Sequence, residues 1–181
     1  ERALANRQGD LHVIIEDIRK DANASGIMRT AEAVGVGTIH VIKTDGLNQS
    51  VLPRVSRGAE RWLEIESHTE PGSCIARLHA QGVAVYCSAV IPEAVDFRSV
   101  DYTRPCAIAV GNETEGASGS LAALADEVIM IPMMGLTESL NVGAAAAVIL
   151  YEAQRQRAEA GMYMTRGLDA DAPDNHGGRS R

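Results

Sequence analysis

The chain has 181 residues, enough to close one hydrophobic core, and 45% of them are apolar. Its 17 basic and 24 acidic groups give a net charge of −7, which argues against a broadly basic nucleic-acid binder. The charge is uneven: residues 63–154 carry net −9, whereas 1–62 and 155–181 each carry +1.

Residues 1–9 read as the end of a helix. Residues 11–16 are a short apolar run rich in β-branched side chains, hence a strand. Residues 24–34 have apolar positions at helical spacing and stop at Gly35. A second strand is expected at 38–43, an Arg-rich irregular or helical piece at 51–62, and a short third strand at 63–67. Residues 71–82 form a helix opened by Pro71 and closed by Gly82. Residues 83–90 and 106–110 are buried strands, 118–125 a helix and 128–131 another strand. The longest helix is expected over 139–160, stopped by Gly161. Strands alternating with helices imply an α/β fold with a parallel sheet covered on both faces. One domain is expected over 10–161 and a flexible tail over 162–181, of which 165–181 carry almost nothing apolar.

No apolar run reaches the roughly 18–20 residues of a membrane span, and no secretory leader is visible. Cys74, Cys87 and Cys106 are odd in number and widely spaced, so neither a disulfide framework nor a CxxC metal site is expected. Thiols kept in a reducing cytosol fit better, which makes the expected location cytoplasmic. His12, His40, His68, His79 and His176 are scattered and read as structural or surface residues. No metal is expected.

Three motifs stand toward strand ends. The first is Asn23 to Thr30, with Asn23 as a plausible N-cap and Arg29 six residues later. The second is Gly111-Asn112-Glu113-Thr114-Glu115-Gly116, directly after a strand, where α/β proteins bind ligands. Its glycines fit neither GxGxxG nor the P-loop pattern, and its Glu residues disfavour phosphates. A neutral or cationic ligand fits better. The third runs from Ile131 to Val142, where Ser139 or Asn141 can cap the following helix. The small residues 143–147 then permit close backbone packing. Taken singly, these motifs also read as a capped helix, a tight turn and ordinary helix packing.

Together, in order and spacing, they resemble the SpoU family of RNA ribose 2′-O-methyltransferases, in the SPOUT superfamily. Its pattern N-x(5)-R-T is matched by Asn23 to Thr30. G-x-E-x-x-G is matched by Gly111 to Gly116, and I-P-M-x-G-x-x-x-S-L-N-V by Ile131 to Val142. Arg57 to Glu60 also looks family-like. Segments 96–103, 151–157 and 160–163 resemble the members that act on guanosine 18 of tRNA. Many relatives carry Asp-Pro-x-Asn before the first helix. Here the stretch is Lys20-Asp21-Ala22-Asn23, without the proline-fixed turn.

The resemblance implies a Rossmann-like SPOUT fold with a deep C-terminal trefoil knot, a homodimer, and S-adenosylmethionine as cofactor. Cofactor contacts would come from Val110, Gly111, Glu113, Gly116, Ile131, Met133 and Leu140. Arg29 would carry the key catalytic role, with Asn23 orienting it or the ribose. Ser139 and Asn141 would complete the pocket, and Glu113 would fix the loop or the Arg. RNA phosphates would meet Arg7, Arg54, Arg57, Arg61, Arg155, Arg157 and Arg166. The implied activity is 2′-O-methylation of tRNA at guanosine 18 of the D-loop. Alternatives are another tRNA position or rRNA, or a catalytically silent RNA-binding module.

Overall fold

The structure, a computed structural model, describes residues 6–44 and 63–163. Seven strands form one sheet: β1 (Gln8–Glu16), β2 (Val36–Ile42), β3 (Glu64–His68), β4 (Ala84–Ser88), β5 (Val95–Asp96), β6 (Cys106–Val110) and β7 (Glu127–Met130). All pair in parallel, in the order β3-β2-β1-β6-β4-β7-β5. Central strands of such a sheet have both faces shielded from water, so β6 is apolar throughout and wholly buried.

Helices α1 (Asp21–Ala33) and α4 (Val142–Glu159) cover one face. There Ile27, Met28 and Ala31 share a core with Ala146, Ile149 and Leu150. Helices α2 (Pro71–Ala80) and α3 (Gly119–Leu124) cover the other, with Cys74, Ile75, Leu78 and Leu121 against Ile14, Val85 and Ala107. The α/β class and the parallel sheet are as the sequence implies.

Several boundaries move. β1 begins at Gln8, whose amide donates to Gly35 O at 2.7 Å, so Gln8 and Gly9 belong to the sheet and not to a terminal helix. Lys20, not Asn23, holds the N-cap position of α1, with no side-chain cap. Asn23 lies one turn inside, its side chain engaged elsewhere. The last helix starts at Val142 because Asn141 Oδ1 accepts from the amides of Gly143 and Ala144, at 2.9 and 3.3 Å. Ser139 stays in the preceding irregular chain. β5 is two residues long, too short for any periodicity to announce. The expected tail boundary also moves: Gln8 Nε2 donates to Met162 O at 3.1 Å, and Tyr163 donates its hydroxyl to Val34 O at 2.6 Å. The piece expected at 51–62 and residues 164–181 lie outside the described residues.

Arg157 is a correction of a different kind. Its side chain is 0% exposed. It pairs with Asp10 at 2.6 Å and donates to Gln8 Oε1, Tyr102 O and Arg104 O. A buried guanidinium persists only when its charge and its donors are all met. It ties the end of α4 to β1 and the lead-in to β6, and it cannot contact RNA phosphate.

The histidines are placed by strand register. His12 and His40 are buried, and His12, His40 and His68 line up across β1, β2 and β3. Nδ1 of His12 is 3.1 Å from Nε2 of His40, and Nδ1 of His40 is 3.1 Å from Nε2 of His68. Burial, and then the neighbouring His12 and His68 rings, push the His40 imidazole down to about 3. Neutral rings each offer one donor and one acceptor, so such a row can be satisfied end to end.

Candidate active site

In an open parallel sheet, ligands bind outside the carboxyl ends of the strands. Here the three motif segments leave those ends. The lead-in to α1 follows β1, residues 111–118 follow β6, and residues 131–141 follow β7.

The loop after β6 is held by its own side chains. Asn112 and Gly116 exchange backbone hydrogen bonds of 2.9 Å in both directions. Asn112 Oδ1 accepts from Thr114 N at 2.8 Å and Glu115 N at 3.2 Å, while its Nδ2 donates to Asp17 O at 2.9 Å. A Cβ at Gly111 would stand 2.2 Å from Ala117 Cα, so only glycine lets the loop close this tightly. Gly116 supplies the positive φ of +74° that ends the turn. The buried Glu16 braces the far end, accepting from Ser118 N at 2.7 Å and from its hydroxyl at 2.6 Å.

Glu113 reaches from this loop to the start of α1. Its carboxylate accepts from the amides of Arg19 at 3.1 Å and Lys20 at 2.9 Å, and from Asn23 Nδ2 at 3.0 Å. Asn23 Oδ1 in turn accepts from Asn141 Nδ2 at 3.1 Å, and Asn141 caps α4. One line of hydrogen bonds thus joins all three motifs. Partial burial works against the Glu113 charge, but the Asn23 and backbone donors outweigh it and hold the carboxyl at about 2.

Beside this junction lies a cleft of about 410 Å³ at the carboxyl ends of β4, β6 and β7. Val110, Gly111, Glu113, Gly116, Ile131, Met133 and Leu140 all line it, and so does Ser139. Ser88 at the end of β4 and residues 89–91 after it form a further wall that sequence reasoning missed. Their position on the end of a buried strand was the available signal. Asn112, the lock of the loop, was likewise passed over beside its glycines.

Other expected residues stand elsewhere. Asn23 and Asn141 support the cleft without lining it. Arg29 is exposed on α1, outside the cleft of its own chain, and has no hydrogen bond or ion pair among the described residues. Arg7 donates to Gly37 O at 2.9 Å, and Arg155 pairs with both Glu152 and Glu159. Those pairings leave both less free for phosphate than expected. Arg54, Arg57, Arg61 and Arg166 lie outside the described residues. No helix among the described residues is long and apolar enough to cross a membrane.

The SpoU rRNA Methylase family profile matches residues 10–151. The tRNA (guanosine(18)-2′-O)-methyltransferase of Escherichia coli K12 is 44% identical over 161 residues, covering 89% of this chain and 70% of that protein. The crystal structure of the A. aeolicus TrmH/SpoU tRNA modifying enzyme superposes with a TM-score of 0.84 at 37% identity, covering 93% of this chain and 86% of that one. The SpoU methyltransferase AviRb from Streptomyces viridochromogenes, solved in complex with the cofactor AdoMet, gives 0.75 at 28% identity, covering 86% of this chain and 64% of that one. With the motifs of that family brought together at one cleft, the chain belongs to the SpoU methylase family.

Proposed function

We propose that this chain transfers the methyl group of S-adenosylmethionine to the ribose 2′-hydroxyl of guanosine 18 in the D-loop of tRNA. The carrying observation is the convergence of three motif loops, through Glu113, Asn23 and Asn141, beside a cleft of cofactor size. The likeness to a relative named for that reaction supports the substrate.

The cleft fits the cofactor. Gly116, with open space where a Cβ would stand, leaves backbone open to close approach, while Ile131, Met133 and Leu140 offer an apolar wall. Glu115 and Glu138 on the lining suit a cationic sulfonium. When bound, S-adenosylmethionine supplies an electrophilic methyl group. The chain holds it by the loops at 110–116 and 131–140, and Ser139 stands where it can orient the ribose. Asn23, Glu113 and Asn141 are positioning residues: they fix these loops rather than touch the reacting atoms.

A ribose hydroxyl must lose its proton as it attacks. A guanidinium does not give up its own proton in proteins. The role of Arg29 is therefore to steady the negative charge developing on that oxygen. Because Arg29 stands outside its own cleft, we assign it to the cleft of a second copy in a homodimer. Exposed Met134, Leu136, Val148 and Tyr151 give that copy an apolar surface to cover. Arg19, Lys20 and Arg29 are exposed cations on α1 and its lead-in, available to RNA phosphates. The reading includes the C-terminal trefoil knot. Its support is that the chain leaves β7, two strands beyond β6, and returns to start α4 beside Asn23. It also places the enzyme in the cytoplasm.

The test is incubation of the protein with labelled S-adenosylmethionine and unmodified tRNA or rRNA transcripts, followed by mass spectrometry of nuclease digests. 2′-O-Methylguanosine at position 18 of tRNA is expected. Its absence from protein that binds the cofactor overturns the reading.

A further inference from the structure

Far from the cleft, on the other side of β1, the α2 face of the sheet gathers four side chains with metal-binding chemistry. His40, His68 and Cys74 each offer one ligand atom, all within 4.8 Å of one another, and His40 Nδ1 stands 3.1 Å from His68 Nε2. Glu66 Oε2 stands 3.5 Å from His40 Nδ1 and 3.9 Å from His68 Nε2. That oxygen is the one buried side-chain polar atom without a hydrogen-bond partner among the described residues. An orphaned buried oxygen asks for an explanation, and an ion is one of the few available.

We propose that His40, His68, Cys74 and Glu66 bind a zinc ion. Two imidazoles, a thiolate and a carboxylate form a donor set of the borderline kind zinc takes, and the two anions balance its charge. A tetrahedral shell of zinc ligands, each ~2.0–2.3 Å from the ion, sets its members roughly 3.3–3.8 Å apart. The two histidine nitrogens and the Glu66 oxygen already stand near that spacing. The ion takes the place of the hydrogen bond between His40 and His68, and binding releases the Cys74 proton.

Outer partners are in place too. The other His40 nitrogen, Nε2, faces His12 Nδ1 at 3.1 Å, so His12 can accept from it and hold the ring. Arg77 donates to the other Glu66 oxygen at 2.9 Å, leaving Oε2 for the ion. Cys74 is fully buried, whereas Glu66 and His68 keep 22% and 10% side-chain exposure on the edge strand β3, which provides an entry path. The register His40↔Glu66 and Ile42↔His68, with α2 packed above, assembles what no sequence spacing announces. The expectation of a metal-free chain is set aside on this ground. The site is independent of methyl transfer: it ties β2, β3 and α2 together.

The test uses chelator-stripped full chain titrated with cobalt(II) alone, a spectroscopic stand-in for zinc. One equivalent is expected to give the strong visible bands of a tetrahedral site with an ultraviolet thiolate-to-cobalt band, both erased by one equivalent of zinc. Cys74→Ala should lose the thiolate band, and Glu66→Gln should weaken affinity about tenfold to a hundredfold. If Cys74→Ala fails to fold by circular dichroism, His68→Asn on the edge strand carries the test, with loss of the tetrahedral bands expected. No tetrahedral spectrum in the unaltered chain overturns the proposal. So does a thiolate band that survives in folded Cys74→Ala, or tetrahedral bands that survive in His68→Asn.

Discussion

Asn141 donates its side-chain Nδ2 to the side-chain Oδ1 of Asn23 at 3.1 Å, across 118 positions of chain. Each asparagine does two jobs at once. Asn141 also caps α4, and Asn23 also donates to Glu113. The starts of α1 and α4 and the loop after β6 are therefore set by one short run of polar groups. Asn23→Ala leaves Asn141 and Glu113 each short of a partner. A stability loss of about 1–3 kcal/mol is expected. Weaker cofactor binding should accompany it, read by urea unfolding and calorimetry.

Glu113 makes a distinct prediction in acid. Its carboxyl ionises at about 2 in the folded chain, against 4.5 for an unconstrained group. A depressed folded value means the group stabilises the fold above pH 4.5, and that contribution fades as pH falls toward 2. Glu113→Gln should flatten the stability profile across that window and change it little in shape above. Chemical unfolding at intervals from pH 6 to 2 checks this.

Gly111→Ala places a methyl group 2.2 Å from backbone atoms of Ala117. Backbone on both sides cannot yield as a flexible side chain would, so the loop after β6 must open. Cofactor affinity should drop by at least about tenfold, with about 1–3 kcal/mol lost in stability. Calorimetric titration with S-adenosylmethionine and a melting curve separate the two effects.

Arg29→Ala should lower methyl transfer by about a hundredfold or more while leaving cofactor affinity near that of the unaltered chain. Mixing it with Gly111→Ala chains tests whether the site spans two copies. Mixed dimers should regain activity that neither variant has alone. No recovery after verified subunit exchange would assign Arg29 to its own chain's cleft.

Arg157→Ala removes the only charge paired with Asp10 among the described residues. The expected cost is about 2–4 kcal/mol, since a large buried side chain is lost and Gln8 Oε1, Tyr102 O and Arg104 O lose their donor, while Asp10, 38% exposed, can turn to water. At temperatures where the variant stays folded, its RNA affinity should match that of the unaltered chain in filter binding.

The parts of the site that were legible lie on short stretches of chain. The buried run of β6 followed by bracketing glycines announces a ligand loop, and the cleft lies there. Arg29 falls outside the buried positions Ala24, Ile27, Met28 and Ala31, which already marks it as solvent-facing. Arg157 was also within reach. The inward stripe of α4 is Ala146, Ile149, Leu150, Ala153, and then Arg157 at the next helical step. Reading it by charge alone sent it to the surface. The Glu113–Asn23–Asn141 line and the His40–His68–Cys74 cluster were not legible, because each depends on strand order and register between distant segments.

The contacts of Gln8 with Met162 and of Tyr163 with Val34 have a practical side. They bring the two ends of the domain to one spot, at the amino ends of the parallel strands. The cleft opens at the opposite, carboxyl ends. A label or tether fixed at this spot, for instance through Gly9→Cys at an exposed position with open space around its Cβ, therefore sits at the rear of the molecule. The domain can be immobilised there with its working face turned toward a large folded RNA.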